Sequence, residues 1–413
     1  MRRQFSHVCP VNRIQVANVR LNEDSRGVRW QGMAREPFRL FFPLGVAAGI
    51  LGVMLWPLHF LGLGGYPGVG HARIMAHGFL GSFVLGFLAT AVPRMLGTGP
   101  LAAPGVAGLL GLQILSIGGH LIGWNDAADG LFWAGLLVLV ANLAGRFRGR
   151  SDLPPPGLVL ALLGVLCAMV GIPMGLGAAD DETAATRLIW QNRLVYQGFL
   201  LLPILGVGAY ILPGLLGVSN RHDLPEMRVP NARWWYLAGE AALAGSLVLF
   251  SFWLEIRGWV RVAYGLRCLA AGGYLRRQWV LEAGGGKKTA AARWLRAAAI
   301  LLVAGLATVA LFPGVRVAWL HLALAVGMTL ITLTVGMRVL FGHSGQPQRL
   351  GARNVWLSVA FSVVIMAALT RITGDLLPKI LVTHYSYGAV IWAVGLTVWA
   401  WKVLPAVFRA DAP

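Results

Sequence analysis

The sequence has very little charge for its length. Only 12% of its 413 residues are Asp, Glu, Lys or Arg, whereas 57% are hydrophobic. A soluble domain of this size needs a charged surface, which this composition cannot supply. Among the charged residues the acidic ones are scarcer, with 16 Asp and Glu against 35 Lys and Arg, so the formal net charge is +19. The basic residues lie between apolar runs and form no stripe with interleaved aromatics, which argues against nucleic acid as a partner.

Cysteine is also scarce, and its three residues, Cys9, Cys167 and Cys268, lie far apart in the sequence. There is no CxxC pair, which excludes zinc sites and redox pairs of that kind. There is no CxxCH motif either, so a haem cannot be attached covalently. Any haem would therefore be held by side-chain ligands alone.

Long apolar runs are abundant. They recur along the whole chain at about 18 to 25 residues, the length that a transmembrane helix needs. The sequence therefore predicts an all-α polytopic integral membrane protein with about twelve transmembrane helices. The predicted spans cover residues 38–60, 71–93, 104–124, 130–147, 156–176, 187–213, 232–254, 259–276, 293–312, 317–341, 354–375 and 380–404. Short loops separate them, such as NDAADG at residues 125–130.

The predicted domain organisation is simple. Residues 1–35 form a basic N-terminal tail that we expect to be disordered, residues 36–408 form a single transmembrane domain, and residues 409–413 form a C-terminal tail. The first 34 residues lack the apolar stretch of a cleavable signal peptide. Because Met33 directly precedes the segment AREPFRLFF, both Met1 and Met33 are candidate translation starts.

Positive charge alternates from loop to loop. The loops after even-numbered spans and both termini hold most of the Lys and Arg, as in RFRGR at residues 146–150. The loops after odd-numbered spans hold acidic residues instead, namely Asp126, Asp129, Asp180, Asp181, Glu182 and Asp375. By the positive-inside rule, this pattern predicts that both termini are cytoplasmic and that the acidic loops face outward.

Most histidines fall on one side of the predicted membrane. His59, His71, His77, His120, His321 and His384 lie at the outer ends of spans, whereas His7, His222 and His343 face the cytoplasm. Neutral imidazole is the commonest ligand of haem iron, copper and zinc, and helix bundles assemble such sites from facing helices. One histidine near a helix end is usually an interfacial polar residue. Several on one side predict that some of them bind a metal.

Arginines also occur within the spans. TRLIWQNRLVYQGF places Arg193 in the outer half of span 6, where it can bind a haem propionate or reach the lipid headgroups. Near the cytoplasmic end of span 10, Arg338 lies about 7 Å deeper than His343, at 1.5 Å per residue. A cation at that depth is expected to have a buried partner.

Three segments resemble, in order and spacing, the signature segments of the NnrS family. They are PFRLFFPLG, HARIMAHGFLGSFVLGFLATAVPRMLG and HLALAVGMTLITLTVGMRVLFGHSGQP. The residues of the third segment that fall on the family pattern are His321, Arg338, Gly342, His343, Gly345 and Pro347. The family comprises bacterial twelve-span proteins that contain haem and copper and are connected with nitric oxide. The resemblance therefore implies a multi-pass protein of the bacterial inner membrane with haem b and copper as cofactors.

The sequence departs from the family pattern in two places. In span 2 the family commonly reads H-A-H-E-M, and here Arg73 and Ile74 replace the second His and the Glu. In span 6, Tyr210 stands in place of an arginine. A guanidinium stays protonated and repels a nearby cation. We therefore expect haem to be retained and copper to be substoichiometric or absent, unless His77 replaces the missing ligand.

These observations favour a membrane haem protein, with copper as a second candidate cofactor. It would bind or process nitric oxide at a metal site in the periplasmic half of the bundle. An axial pair of haem b ligands could come from His71 or His77 and from His321, with His384 as an alternative or as a copper ligand. The candidate cofactor-binding residues are His71, His77, His321, Arg193 and Arg338, and the candidate metal ligands are His71, His77, His120, His321, His343 and His384.

Two other classes of protein stay open. One is a secondary transporter with a polar site between helices, for which Gly/Pro-broken helices such as LLPILGVGAYILPGLLG in span 6 are typical. The other is a structural or assembly protein of the membrane. A transporter's polar site is expected near the middle of the bilayer, whereas these histidines lie near one side.

Overall fold

The fold is a bundle of twelve long helices, seen in a computed structural model that describes residues 30–176, 183–278, 286–351 and 353–409. Within these ranges the chain forms no strand. The helices are α1 Phe38–Phe60, α2 Gly68–Met95, α3 Ala103–Leu121, α4 Asn125–Arg148, α5 Leu158–Gly175, α6 Ala184–Leu216, α7 Ala232–Ile256, α8 Val260–Arg277, α9 Ala290–Leu311, α10 Pro313–His343, α11 Val355–Leu376 and α12 Pro378–Phe408. The prediction of an all-α polytopic membrane protein is confirmed.

Helix α8 differs from the others in its charge. The other eleven helices are long and apolar enough to cross a membrane. α8 has 18 residues but carries Arg261, Arg267, Arg276 and Arg277. It packs between α7 and α9, and the side chain of Arg267 is completely buried there. A charged helix is tolerated within a membrane bundle when its ionised groups face protein partners.

Helices α2, α6 and α10 share an unusual feature near the same end of the bundle. Each contains a π-helical segment, at Ile74–Leu80, Leu194–Gly198 and Leu322–Met328. The three segments begin directly after Arg73, Arg193 and His321, respectively. A π-helical turn changes the direction of the side chains that follow it, and such turns are frequent at functional sites. We call this end of the bundle the histidine end.

One predicted loop is wrong. Residues 125–130 are not a connection but the first turns of α4, which begins at Asn125. The turn before α4 is made by Gly123, whose φ of +85° is a conformation that glycine adopts without strain. Asp126 lies in the first turn of α4, where the helix dipole favours a carboxylate. The earlier start of α4 also places Asp129 inside the bundle, where it is completely buried.

The opposite end of the bundle is organised around Glu36. Residues 1–29 and 410–413 of the predicted tails lie outside the described residues, and Trp30–Arg35 forms a short helix before α1. The Glu36 carboxylate contacts Arg39 Nε at 2.7 Å, Arg94 Nη2 at 2.5 Å and His343 Nδ1 at 2.7 Å. Burial alone would raise the pKa of Glu36, but these partners hold it well below its usual range.

Helices α9 and α10 cross closely at two glycines. A Cβ atom added to Gly305 would lie 2.5 Å from the backbone nitrogen of Ala323, and one added to Gly327 would lie 2.6 Å from Cα of Leu302. Small residues allow membrane helices to approach until their backbones touch. The crossing therefore depends on the absence of a side chain at both positions.

Replacing Gly305 with Ala is expected to destabilise the fold by about 1 to 3 kcal/mol, because the new methyl group overpacks the crossing. Thermal unfolding of the detergent-solubilised protein measures the effect. The matched control is Gly239→Ala on α7, since a Cβ there would meet nothing within 4 Å. Equal unfolding temperatures for the two variants would contradict this account of the crossing.

Candidate metal centre

His77, His120 and Asp129 converge at the histidine end from helices α2, α3 and α4. His77 Nδ1 lies 3.4 Å from His120 Nε2 and 3.4 Å from Asp129 Oδ1. His120 Nε2 lies 3.6 Å from the same carboxylate oxygen. All three side chains are buried. Two imidazoles and one carboxylate form a ligand set that several transition metals accept.

The spacing of these three atoms matches a tetrahedral site. A tetrahedral ion held at about 2.1 Å by each ligand has ligand atoms about 3.4 Å apart. The observed separations of 3.4, 3.4 and 3.6 Å are close to this value. The three atoms therefore define one face of a tetrahedron, with a fourth position left for a small ligand.

The Asp129 carboxylate uses its two oxygens differently. Oδ2 is 2.8 Å from Arg73 Nη2 and accepts a hydrogen bond from Gln191 Nε2 at 3.4 Å. Oδ1 is buried and accepts no hydrogen bond from any of the described residues. A buried acceptor without a hydrogen-bond partner lowers the stability of the fold by about 1 to 3 kcal/mol, and by more when it is charged. Because Oδ1 faces two imidazole nitrogens, a shared cation or proton would satisfy it.

Neighbouring groups fix both imidazole rings. The His77 ring stacks on Phe132, with 4.3 Å between centroids and an interplanar angle of 8°. The His77 carbonyl, which belongs to the π-helical segment of α2, accepts a hydrogen bond from Gln113 Nε2 at 2.7 Å. His120 Nδ1 lies 3.1 Å from Asn125 Oδ1, so the amide oxygen accepts the Nδ1 proton and leaves Nε2 free to face the site. The contact between His120 and Asn125 is of the kind that orients the histidines of metal sites, in which the second ring nitrogen donates its proton to an oxygen.

Arg73, the residue that replaces the family's second histidine, lies beside the carboxylate. Its side chain is buried, and its Nη1 lies 3.9 Å from the exposed carboxylate of Asp126. The guanidinium therefore compensates part of the charge that a metal would otherwise neutralise. Arg73 would compete with a cation at the edge of the site, and the candidate ligands come from three helices rather than from α2 alone.

His71 and His321 form a second group at the same end. His71 Nδ1 lies 2.9 Å from the carbonyl of Gly52, and His321 Nδ1 lies 2.7 Å from that of Val317. In each ring the Nδ1 proton is donated to the backbone, so Nε2 carries a free lone pair, the tautomer that a metal requires. Both histidines lie within electrostatic range of Arg371, and His321 within that of His71. Arg371 itself pairs with Asp375 at 2.5 Å.

The other predicted site residues are spread over the bundle. His384 is half-buried at the histidine end, with Nδ1 3.2 Å from Thr383 Oγ1. His343 lies at the opposite end on Glu36, so the structure does not bring it to the other metal candidates. Arg338 is exposed and has no hydrogen bond or ion pair with the described part of the chain. The prediction that Arg338 has a buried partner is therefore wrong.

Arg193 belongs to a third group, centred on Glu255. Arg193 Nε lies 2.9 Å from the Glu255 carboxylate, which also contacts Arg267 Nη2 at 3.0 Å and Arg316 Nη1 at 3.5 Å. Ser251 Oγ accepts a hydrogen bond from Arg267 Nε at 2.9 Å. Sequence reasoning did not single out Glu255 or Arg267. An acidic residue inside the apolar run FSFWLEI was the signal that could have found this group.

Comparison with protein families agrees with the three signature segments. The profile of the family described as NnrS protein matches residues 33–410, which is nearly the whole chain. The chain belongs to the NnrS family. Among curated proteins, no match is found. NnrS membership points to a nitric-oxide-related membrane protein, and the His77–His120–Asp129 group supplies a possible metal site within it.

Proposed function

We propose that this chain is a membrane metalloprotein of the nitric oxide response that holds one metal ion on His77, His120 and Asp129. The observation that carries the proposal is the convergence of three buried ligand atoms at tetrahedral spacing around an unsatisfied carboxylate oxygen. Copper is the metal that family membership implies, and imidazole nitrogen with carboxylate oxygen is a donor set that copper accepts. His120 and Asp129 supply ligands that α2 lacks.

The surroundings suit a small neutral ligand. A bound ion would offer its fourth position to such a ligand, and nitric oxide is small and uncharged enough to arrive through the hydrocarbon of the bilayer. Phe132 and the buried helix faces exclude water from the ligand atoms. Arg73 and Asp129 form an ion pair beside the site, which limits the net charge buried there.

We also propose that haem b is held by His71 and His321. The free Nε2 atom of each ring supports this assignment, as does the common position of the two rings near Arg371. Helix-bundle proteins bind haem in this way, between side chains of facing helices. In this arrangement the haem and the second metal would lie at the same end of the bundle.

The test is metal and haem analysis of protein purified after expression with copper, zinc and haem supplied. We expect one tightly held metal ion per chain and a Soret band. Protein that lacks both after such expression would overturn the proposal and favour secondary transport or an assembly role. A substrate uptake assay in vesicles would then separate those two alternatives.

His321→Ala is expected to remove the Soret band or to shift it strongly, because it deletes an axial ligand. Haem content relative to protein, measured by absorption, checks the result. The control is His59→Ala, since His59 lies at the same end, with Nδ1 3.2 Å from the carbonyl of Gly64, outside both histidine groups. Equal haem content in the wild type and in His321→Ala would show that the axial assignment is wrong.

We propose that the histidine end faces the periplasm, with both termini cytoplasmic, because most basic loops lie at the opposite end. Terminal fusions to a reporter that is active only in the cytoplasm are expected to be active. A fusion active only in the periplasm would invert the bundle and place the metal centre on the cytoplasmic side.

A further inference from the structure

A crevice between α2, α6 and α10 opens at the end opposite to the histidine end. Its mouth is a cavity of about 370 Å³ that the loops at residues 152–156 and 222–227 partly cover. Deeper in the bundle lies a narrow slot of about 50 Å³ between the same three helices and α1. Phe87 lines both spaces, so the slot and the mouth adjoin at this side chain.

The helix faces that line the crevice run without a break from the slot to the mouth. On α2 the lining residues include Phe83, Val84, Phe87, Leu88, Ala91 and Arg94. On α10 the face runs from Val335 in the slot to His343 at the mouth. The spacing of three, four or seven residues keeps these positions on one side of each helix. From Phe83 to Arg94 the face is about 17 Å long, at 1.5 Å per residue.

The slot is almost entirely apolar. Apart from Thr332, its lining side chains are aliphatic or aromatic, with Pro203 and two glycines. Val84, Ile204 and Val335 are only half-buried, although α2, α6 and α10 are otherwise among the most buried helices. The slot therefore presents uncovered apolar surface to whatever enters it, and its volume of about 50 Å³ leaves room for no more than one apolar chain.

The mouth, in contrast, carries a cation on its helix wall. Arg94 Nη2 is 2.5 Å from Glu36, and Arg94 Nη1 is 2.9 Å from His343 Nδ1. A guanidinium has five N–H donors, so these contacts leave donors for another acceptor. Half of the Arg94 side chain is exposed to the cavity and its surroundings. It is suited to bind an anionic group at the level of the membrane surface.

The loop wall of the mouth carries the opposite charge. Asp152 Oδ1 accepts hydrogen bonds from the backbone nitrogens of Leu153 at 2.7 Å and Met227 at 2.8 Å, which fixes the carboxylate. Among the described residues, none donates a hydrogen bond to Oδ2. Asp223 is exposed at the rim. Both carboxylates lie within electrostatic range of Tyr210 on α6. Two carboxylates and a phenol oxygen provide acceptors for a primary ammonium group.

We propose that this crevice binds one phospholipid whose headgroup carries both a phosphate and a primary ammonium group. Arg94 binds the phosphate, Asp152 and Asp223 bind the ammonium, and one acyl chain enters the slot lined by Phe87 and Val335. A polar mouth of mixed charge that leads into an apolar slot is complementary to such an amphiphile, since pockets of this kind between transmembrane helices recognise lipid headgroups. This site is separate from the metal centre and does not depend on it.

Two other occupants would behave differently. A free zwitterion has the same headgroup chemistry but uses the mouth alone, so it would be insensitive to the slot. A lipid that merely surrounds the bundle needs neither the charges nor the slot. The experiment therefore changes the headgroup, the mouth and the slot independently.

Native mass spectrometry of the delipidated full-length protein tests the proposal. The probes are phosphatidylethanolamine, phosphatidylcholine, phosphatidylglycerol and the water-soluble headgroup glycerophosphoethanolamine. We expect one phosphatidylethanolamine per chain, bound about tenfold more tightly than the other two lipids. The quaternary ammonium of phosphatidylcholine has no N–H to donate, and the glycerol of phosphatidylglycerol donates hydrogen bonds but carries no positive charge to pair with the carboxylates. Glycerophosphoethanolamine alone is expected to bind much more weakly.

Matched variants locate the site. Asp223→Asn is expected to weaken binding of phosphatidylethanolamine about tenfold, whereas Glu226→Gln, in the same exposed loop, leaves it unchanged. Val335→Phe, which fills the slot, is expected to abolish one-to-one binding. Its control is Val359→Phe on the half-exposed face of α11. Both phenylalanine variants keep apolar side chains, and their unfolding temperatures show whether each is folded.

Three results would overturn the proposal. Equal binding of the three lipids would indicate surrounding lipid only. Binding of phosphatidylethanolamine that survives Val335→Phe would show that the slot holds no acyl chain. Tight binding of glycerophosphoethanolamine that Asp223→Asn weakens and Val335→Phe does not would identify a free zwitterion as the occupant.

Discussion

Asp129→Asn is expected to lower metal affinity by at least about a hundredfold while the bundle stays folded. Substitution of a residue that only hydrogen-bonds a metal ligand already costs about 10- to 100-fold in metal affinity, so loss of a charged ligand should cost more. Asn keeps the size of Asp and can still accept a hydrogen bond from Gln191, which lies 3.4 Å from Oδ2. The substitution removes the anionic charge between two imidazoles and leaves the shape of the site unchanged.

Arg73→Met is expected to act in the opposite direction. The guanidinium lies 2.8 Å from the Asp129 carboxylate and repels any cation held by the same carboxylate. Two unit charges at 4 Å interact with about 4 kcal/mol at an effective dielectric constant of 20. Removal of this repulsion should therefore raise metal affinity at least about tenfold. Met has a similar length, fills the same space and carries no charge.

The opposite signs separate a role in metal binding from a folding defect. Competition titration with a chelator, using copper and zinc as probes, measures the affinity of each variant. Asp126→Asn is the matched control, because Asp126 is also near Arg73, at 3.9 Å, but its side chain is 68% exposed and outside the tetrahedral face. A decrease in affinity for both Asp129→Asn and Arg73→Met would indicate damage to the fold rather than loss of a ligand.

The helical spans could be predicted from the sequence because hydropathy over a bilayer-length window is a strong and local signal. The error at residues 125–130 arose where this signal is weak. NDAADG is typical of a turn, yet Gly123 alone makes the turn, and the dipole of α4 accommodates Asp126. The alternation of spans also predicted that four histidines lie at the same end of the bundle. The structure places all four there, namely His71, His77, His120 and His321.

The composition of the metal centre could not be predicted in the same way. Asp129 belonged to a set of loop acids in the charge pattern, and only the packing of α2, α3 and α4 brings it to His77 and His120. The direction of the His77 ring also depends on the π-helical segment, which an ideal helical wheel does not include. Long-range contacts of this kind leave no periodic trace in one sequence.

The partner of Arg193 could not be predicted from the sequence either. The sequence offered two partners for Arg193 in span 6, a haem propionate or the lipid headgroups. The structure supplies a protein partner instead, since Glu255 on α7 lies 2.9 Å from Arg193 Nε. Hydropathy does not reveal ion pairs between helices that are far apart in the sequence, because each charged residue appears only as an interruption of its own apolar run.

Glu255→Gln is expected to be the most destabilising of these substitutions, at about 3 to 5 kcal/mol, the usual effect of breaking a buried ion pair. The side chain of Arg267 is completely buried, that of Glu255 is 1% exposed and that of Arg193 is 11% exposed. Without the carboxylate, both guanidiniums stay inside the bundle without a counter-charge. The amide of Gln keeps the size of the side chain, so the loss is electrostatic rather than steric.

Expression level and thermal unfolding in detergent measure this effect. Glu240→Gln is the matched control on the same helix, because Glu240 also contacts two arginines, Arg221 and Arg277, and the Arg277 side chain is 54% exposed. Such a solvent-accessible pair is worth about 1 kcal/mol or less.

Adding Arg193→Gln to Glu255→Gln removes one uncompensated charge and should restore part of the stability. Equal unfolding temperatures for Glu255→Gln and Glu240→Gln, or no rescue by Arg193→Gln, would show that this cluster does not hold α6, α7 and α8 together.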